Sequence, residues 1–100
     1  MTLPNSCNLS PDATRAGREG PLPRLAERAV TRAATADGYV LTFAAGSENL
    51  LAIRRTIDAE RQCGRWLTYS VVVEPDGGPI TLTLTGPSGA REFLAALMDG

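Results

Sequence analysis

The clearest pattern in this chain is a strict two-residue alternation near its C-terminal end. Residues 80 to 85 read Ile-Thr-Leu-Thr-Leu-Thr, so every second side chain is apolar. Successive side chains of a β-strand point to opposite faces of the sheet, and this alternation is typical of a strand with one buried face. Residues 75 to 79, Pro-Asp-Gly-Gly-Pro, precede it as a turn signal, and residues 67 to 73 alternate before the turn. The segment from 67 to 85 therefore predicts an antiparallel hairpin.

The first half of the chain repeats this plan. Residues 36 to 38, Ala-Asp-Gly, are a strong turn signal between the segments 29 to 35 and 39 to 44. Each hairpin is followed by apolar residues at helical spacing, and Ser47 and Ser88 are expected to cap these two helices. The apolar faces predict a core of Leu41, Phe43, Leu50, Ile53, Ile57, Tyr69, Val71, Ile80, Leu82, Leu84, Phe93 and Leu97.

Together these patterns predict an α+β fold of element order ββαββα. We expect a four-stranded, mainly antiparallel sheet with both helices on one face. Residues 1–24 are expected to form a short N-terminal arm with a short helix that begins near Ser10, and residues 25–100 a single domain. The uncovered face of the sheet carries Thr81, Thr83 and Thr85. This face is either solvated, as in many one-sided antiparallel sheets, or a surface for a ligand or for homodimerisation.

Two absent residue types limit the chemistry of the chain. It contains no histidine, and all ten of its cationic residues are arginine. The commonest general base, the nucleophile pairs that need histidine, and lysine Schiff bases are therefore excluded. We accordingly expect a protein that is not an enzyme.

Charge and hydropathy limit the partners in the same way. The formal net charge is −1, which gives no overall attraction to nucleic acid or to anionic lipid. No apolar run approaches the roughly 20 residues of a membrane span, and no basic start followed by an apolar stretch suggests a signal peptide. The expectations are a cytoplasmic location, no nucleic acid and no membrane among the partners.

The two cysteines, Cys7 and Cys63, are the candidate ligands of a metal site. In a cytoplasmic protein they are expected to be free thiols, and soft metal ions prefer thiolate ligands. Glu60 or Asp58 could add a carboxylate. The alternatives remain open: Cys63 as a small apolar residue packed under Trp66, and Cys7 as an incidental exposed thiol.

Several segments carry a family resemblance. They are residues 60–63 (Glu-Arg-Gln-Cys), 73–80 (Val-Glu-Pro-Asp-Gly-Gly-Pro-Ile) and 84–93 (Leu-Thr-Gly-Pro-Ser-Gly-Ala-Arg-Glu-Phe), and more loosely 37–39 and 7–10. They resemble a group of small, poorly characterised bacterial proteins often encoded beside mercury- or arsenic-resistance genes. Those relatives carry Cys-Cys-Pro-Phe where this chain has Cys-Gly-Arg-Trp at 63–66, so one of their thiols is missing here.

Two functional hypotheses follow. The resemblance and the thiols imply a small non-catalytic protein that binds a soft metal or metalloid, mercuric ion or arsenite, through Cys7 and Cys63. The alternative is a protein-interaction or homodimerisation module that uses the threonine-rich sheet face, with incidental cysteines.

Overall fold

A computed structural model describes residues 20–62 and 65–99 of the chain. The described part contains three helices and four strands, which alternate as αββαββα. In chain order they are α1 (Leu22–Arg28), β1 (Thr31–Ala34), β2 (Gly38–Phe43), α2 (Ser47–Glu60), β3 (Thr68–Val73), β4 (Ile80–Thr85) and α3 (Ala90–Asp99).

The four strands form one antiparallel sheet of order β1-β2-β4-β3. The second strand of each hairpin is central, and β2 pairs with β4 so that Leu41 lies opposite Leu82 and Phe43 opposite Ile80. The hairpin partners β1 and β3 therefore form the two edges. The α+β class and the antiparallel sheet predicted from the sequence are confirmed.

The predicted element order is wrong in one respect, because it omits α1. Leu22, Leu25 and Ala26 have the spacing of one helix face, and all three are buried. Pro23 lies in the first turn, where the missing N–H of proline costs no intrahelical hydrogen bond. The prolines and glycines at positions 17–23 favour an irregular arm, and the prediction for this segment therefore did not include the short helix. The predicted arm helix near Ser10 lies outside the described residues, so the division at residue 24 stays a prediction.

The turns that define the two hairpins form as expected. Asp76 and Gly77 have φ angles of 58° and 73°, the positive values that a type I′ hairpin turn requires at both central positions. The N–H of Gly78 donates to the carbonyl of Pro75 at 3.1 Å and closes this turn. In the first hairpin the N–H of Thr35 donates to the carbonyl of Gly38 at 2.8 Å.

The helix α2 begins at Ser47 as predicted, but Ser47 is not its cap, and α3 begins two residues later than predicted. The N-cap of α2 is Gly46, whose φ of 151° suits glycine, and Ser47 is already inside the helix. Asn49 instead supports this end, because its side-chain amide donates to the carbonyl of Ala44 at 2.9 Å. Ser88 lies in a turn before α3, which begins two residues later at Ala90.

The hydrophobic core lies on one face of the sheet, under the three helices. The strand β4 buries every second side chain, in agreement with the predicted alternation, and β2 buries Leu41 and Phe43 on the same face while Tyr39 is half-buried. Leu50 and Val71 depart from the predicted core, since they are 41% and 38% exposed. Val71 belongs to the edge strand β3, and Leu50 lines the same groove from the helix. The buried cluster comprises Leu22, Leu25, Leu41, Phe43, Ile53, Ile80, Leu82, Leu84, Leu94 and Leu97, with Ile57, Tyr69 and Phe93 partly buried around it.

Candidate interaction surface

Both predicted metal ligands, Cys7 and Cys63, lie outside the described residues. Their mutual distance and their surroundings therefore stay untested, and the two-thiolate site stays a prediction. Within residues 20–62 and 65–99, no group of three or more cysteine, aspartate or glutamate side chains could hold a metal ion. The described part of the chain thus adds no ligand cluster to the predicted pair.

The two carboxylates considered as extra ligands have different environments. Asp58 is exposed and forms an ion pair with Arg54 at 2.8 Å, one helical turn away. Glu60 is half-buried, and burial raises the pKa of its carboxyl, against a smaller lowering by the N–H of Leu22. Because that N–H belongs to the first turn of α1, Glu60 joins the end of α2 to the start of α1.

Tyr69 lies close enough to the end of α2 for the charge of Glu60 to change the pKa of its phenol. Burial first, and then the negative charge of Glu60, raise the pKa of Tyr69 to about 12, against a lowering by Arg61. The phenol is therefore protonated at neutral pH, and it is poorly suited to serve as a general base there.

Trp66 packs against the C-terminal helix. Its ring meets the ring of Phe93 edge-to-face, with centroids 5.1 Å apart and planes at 80°. A Cβ at Gly86 would lie 3.2 Å from the Trp66 ring, so the small residue at position 86 lets the indole approach the backbone. The contacts of Trp66 in the described residues are those of a packing residue.

The thiol hypothesis makes a prediction that does not depend on the described contacts. Replacing Cys63 by serine should abolish the binding of mercuric ion, because a hydroxyl is a poor ligand for a soft ion. The wild-type protein should also lose affinity as pH falls, since protons compete with the metal for the thiolate. Binding would be measured by isothermal titration. Equal affinity of the wild type and of the Cys7→Ser/Cys63→Ser variant would rule out the two-thiolate site.

The described surface has a concentration of exposed apolar side chains along β3 and the facing side of α2. Val71, Val72 and Val73 are 38%, 47% and 57% exposed, and Leu50 and Leu51 are 41% and 40% exposed. Contiguous apolar side chains of this kind mark contact surfaces more often than scattered ones do. We call these five residues, with the groove between β3 and α2, the β3 edge surface.

The groove runs between α2 and the third strand and has a volume of about 500 Å³. Val71 forms its strand side, and Leu50, Leu51 and Ile57 contribute to its helix side. Arg54 also lines it, although its guanidinium is paired with Asp58. The groove is therefore an open, mainly aliphatic cleft of a size that accepts several apolar side chains.

The backbone of β3 adds directed hydrogen-bonding groups to this surface. The N–H of Glu74 donates to the carbonyl of Pro79 at 3.2 Å, so these two residues form a hydrogen-bonded pair of the antiparallel ladder. Hydrogen-bonded and non-hydrogen-bonded pairs alternate along such a ladder. Val73 and Val71, opposite Ile80 and Leu82, therefore belong to non-hydrogen-bonded pairs. Their N–H and C=O groups point away from β4, towards the outer edge, where no other described strand lies.

The two edges of the sheet differ in how well they resist pairing with another chain. The β1 edge has four residues and carries the charged Arg32. The third strand has six residues, Thr-Tyr-Ser-Val-Val-Val, with no charge and no proline. Natural proteins commonly protect edge strands by shortness, charge or proline, and β3 has none of these.

Sequence reasoning missed this surface although a signal was present. The run of three valines at 71–73 breaks the alternation that the neighbouring strand shows, because Val72 is apolar on the face where β4 has threonine. The valine segment at the end of β3 is thus uncharged and apolar on both faces, whereas Thr68 and Ser70 keep the start of the open face polar. The signal was lost because the prediction placed Val71 inside the core.

The threonine-rich face is present on the side of the sheet away from the helices. Thr81, Thr83 and Thr85 are half-buried there by their neighbours on the adjacent strands. Their hydroxyl groups make this face more polar than the β3 edge surface, and it therefore offers less apolar area to a partner.

Comparison with known proteins found no matching family model, no matching curated protein and no matching solved structure. The comparisons therefore add no support for the resemblance to proteins encoded beside metal-resistance genes. No helix in the described parts of the chain is long and apolar enough to cross a membrane.

Proposed function

We propose that this chain is a small, non-catalytic protein-interaction module that binds an extended polypeptide segment along β3. The observation that carries the proposal is the outer edge of this strand, where backbone groups of Val71 and Val73 point outward beside an aliphatic groove. The incoming segment adds a fifth strand to the sheet, and its side chains enter the groove against Leu50 and Leu51.

Strand addition suits this surface because it uses both of its features. Backbone hydrogen bonds to the edge supply affinity without regard to sequence, and pockets for alternate side chains supply selectivity. A bound strand directs every second side chain towards the helix layer, where the groove lies. The segment that fits has apolar residues at alternate positions and few charges.

The chemistry of the chain supports a binding role over a catalytic one. Without histidine or lysine, a nucleophile would have to be activated by a carboxylate or an arginine. The half-buried Glu60 already accepts a hydrogen bond from the backbone of Leu22, and Asp58 is paired with Arg54. Neither carboxylate lines the groove.

The proposal is tested with an alternating serine–valine octapeptide that carries arginine at each end for solubility. Added to ¹⁵N-labelled protein, this peptide should shift the amide signals of Val71 and Val73 in a saturable manner. Signals of β1 residues should stay in place. The side-chain methyl signals of Leu50 and Leu51 should move in the same titration, because the groove is filled together with the edge.

A matched pair of variants separates edge pairing from loss of fold. Val73→Pro removes an outward N–H and leaves the ladder with β4 intact, so peptide binding should weaken by roughly tenfold while the spectrum stays folded. Val30→Lys changes an exposed valine outside the surface and should bind as the wild type does. Saturable binding that Val73→Pro leaves unchanged, or no peptide binding at a protein concentration where the chain is monomeric, would contradict the proposal.

A further inference from the structure

We infer that the extended segment which β3 binds is the β3 of a second copy of this chain, so that the protein is a two-fold symmetric dimer. The inference rests on the proposed function, since it names the occupant of the same edge. Antiparallel pairing of the two edge strands would join the two four-stranded sheets into a continuous sheet of eight strands.

The outward groups of Val71 and Val73 define the pairing. In an antiparallel pair centred on Val72, Val71 lies opposite Val73 of the second copy, and Val73 lies opposite Val71 of that copy. In each of these two pairs, the N–H of either residue donates to the C=O of the other, because both residues direct these groups to the outer edge. The symmetric arrangement thus forms four backbone hydrogen bonds across the two-fold axis.

The same register places valine only against valine. On the helix side of the sheet the two Val71–Val73 pairs meet, and on the open side Val72 faces Val72 of the second copy. Shifting the strands by two residues would instead place Val73 and Val72 against Tyr69 and Ser70 in one direction, and Val71 and Val72 against Pro75 and Glu74 in the other. The register centred on Val72 therefore covers all three exposed valines of each copy with apolar surface.

The absence of charge on β3 favours a second copy over a partner of opposite charge. The strand from Thr68 to Val73 carries no ionisable group other than the tyrosine phenol, and the chain as a whole has a net charge of −1. Two copies therefore meet without strong electrostatic repulsion. The valine segment 71–73, uncharged and apolar on both faces of the strand, is complementary to itself, as a two-fold contact requires.

The area that β3 and α2 offer for contact is large enough for a weak dimer. The third strand has six residues and α2 has 14, so each spans about 20 Å along the contact. A strip of this length that extends from the open side of the strand to the exposed side of α2 buries on the order of 500 Å² per copy. The total, about 1,000 Å², is near the lower limit for specific interfaces. We therefore expect a dimer that dissociates on dilution in the micromolar range.

The symmetry determines what happens to the helices. A two-fold axis between antiparallel neighbouring strands is perpendicular to the sheet, so both helix layers lie on the same side. The two α2 helices then approach the junction from opposite directions. Leu50 and Leu51 of each copy face the strand pair, and the groove of each copy receives valine side chains of the other.

Self-association is tested on the full-length chain by sedimentation over a concentration series. The wild type should pass from monomer to dimer, and Val72→Lys should weaken the dimer by roughly tenfold or more, because two like charges would face each other across the axis. Val72 is 47% exposed, so the monomer should stay folded. Val30→Lys, the matched change at a valine 69% exposed outside the surface, should dimerise as the wild type does.

Cysteine cross-linking tests the register, in a background where Cys7 and Cys63 are replaced by serine. Residues directly opposite in a non-hydrogen-bonded antiparallel pair have Cα atoms about 4.5 Å apart, which is within disulfide range. Val72→Cys should therefore form a cross-linked dimer on mild oxidation. Ser70→Cys, on the same strand and the same open face, should not, because the two copies of residue 70 would be offset by about 13 Å along the strand direction. Cross-linking at 70 but not at 72 would overturn the proposed pairing.

Sedimentation and the peptide titration together distinguish a wrong dimer from a wrong binding edge. A chain that stays monomeric at all concentrations but binds the serine–valine peptide along β3 would overturn the dimer and leave the interaction module standing. A chain that stays monomeric and binds no peptide would overturn both. Protection of the Val71 and Val73 amides from hydrogen exchange in a monomer would show that the chain itself covers the edge, and this result would also overturn the dimer.

Discussion

Replacing Gly38 by alanine is expected to destabilise the protein by about 4 kcal/mol or more, which is a large part of the stability of a small domain. A Cβ at this position would lie 1.7 Å from the carbonyl oxygen of Leu84 and 2.7 Å from its carbonyl carbon. Both atoms belong to the backbone of β4, which is held between β2 and β3. The collision therefore has no flexible side chain to displace and must separate the two central strands.

A second glycine provides the control for this prediction. Gly46 has a φ of 151°, but a Cβ at this position would have no described atom within 4 Å, so Gly46→Ala adds backbone strain without a collision. We expect it to cost on the order of 1 kcal/mol. Urea denaturation followed by the fluorescence of Trp66 would measure both variants. Equal stability losses in the two would show that the close approach of β2 to β4 does not determine the effect of Gly38→Ala.

The elements with strong local signals were predictable from the sequence. The alternation at 80–85 predicts β4 with its bounds, and the Asp-Gly sequences at 37–38 and 76–77 predict both hairpins. These signals are local because a tight turn depends on a few adjacent residues, although only the second hairpin turn uses positive φ, at Asp76 and Gly77. The pairing of the two hairpins through β2 and β4 is a property of the whole chain, and no local pattern specifies which strand becomes an edge.

The departures from prediction share a physical cause. The short α1 depends on tertiary packing, which stabilises seven residues that include a proline in the first turn. The exposure of Val71 and Leu50 depends on β3 being at the sheet edge. A valine on the core-facing side of a strand is expected to be buried unless that strand lies at a sheet edge. Because the sequence does not specify the strand order, the candidate interaction surface could be recognised only from the assembled sheet.

The fold and the proposed dimer contact are connected through the central strands. Because β2 and β4 pair with each other, each hairpin leaves its other strand at an edge, and the two edges differ in composition. The edge formed by β1 is short and carries an arginine, whereas that formed by β3 is longer and aliphatic. A dimer through the β3 edges would cover the less protected edge and leave the β1 edges at the two ends of the eight-stranded sheet.

The largest expected loss from side-chain removal is at Phe43. This ring is fully buried between β2 and the helices, and Phe43→Ala should destabilise the protein by about 3–5 kcal/mol through lost transfer free energy and the cavity left behind. The free energy of unfolding of a small domain is only about 5–15 kcal/mol, so a large part of the stability would be lost. Thermal unfolding followed by circular dichroism at a protein concentration where the chain is monomeric would measure this change.

The matched control is the same substitution at a phenylalanine that is only half-buried. Phe93 contacts Trp66 edge-to-face and is partly open to solvent, so Phe93→Ala should cost less than Phe43→Ala. The neighbouring water-accessible space lets the site relax without an enclosed cavity, whereas the position of Phe43 between a central strand and the helix layer does not. A larger loss at Phe93 than at Phe43 would show that the centre of the core lies at the Trp66 end of the sheet and not over β2 and β4.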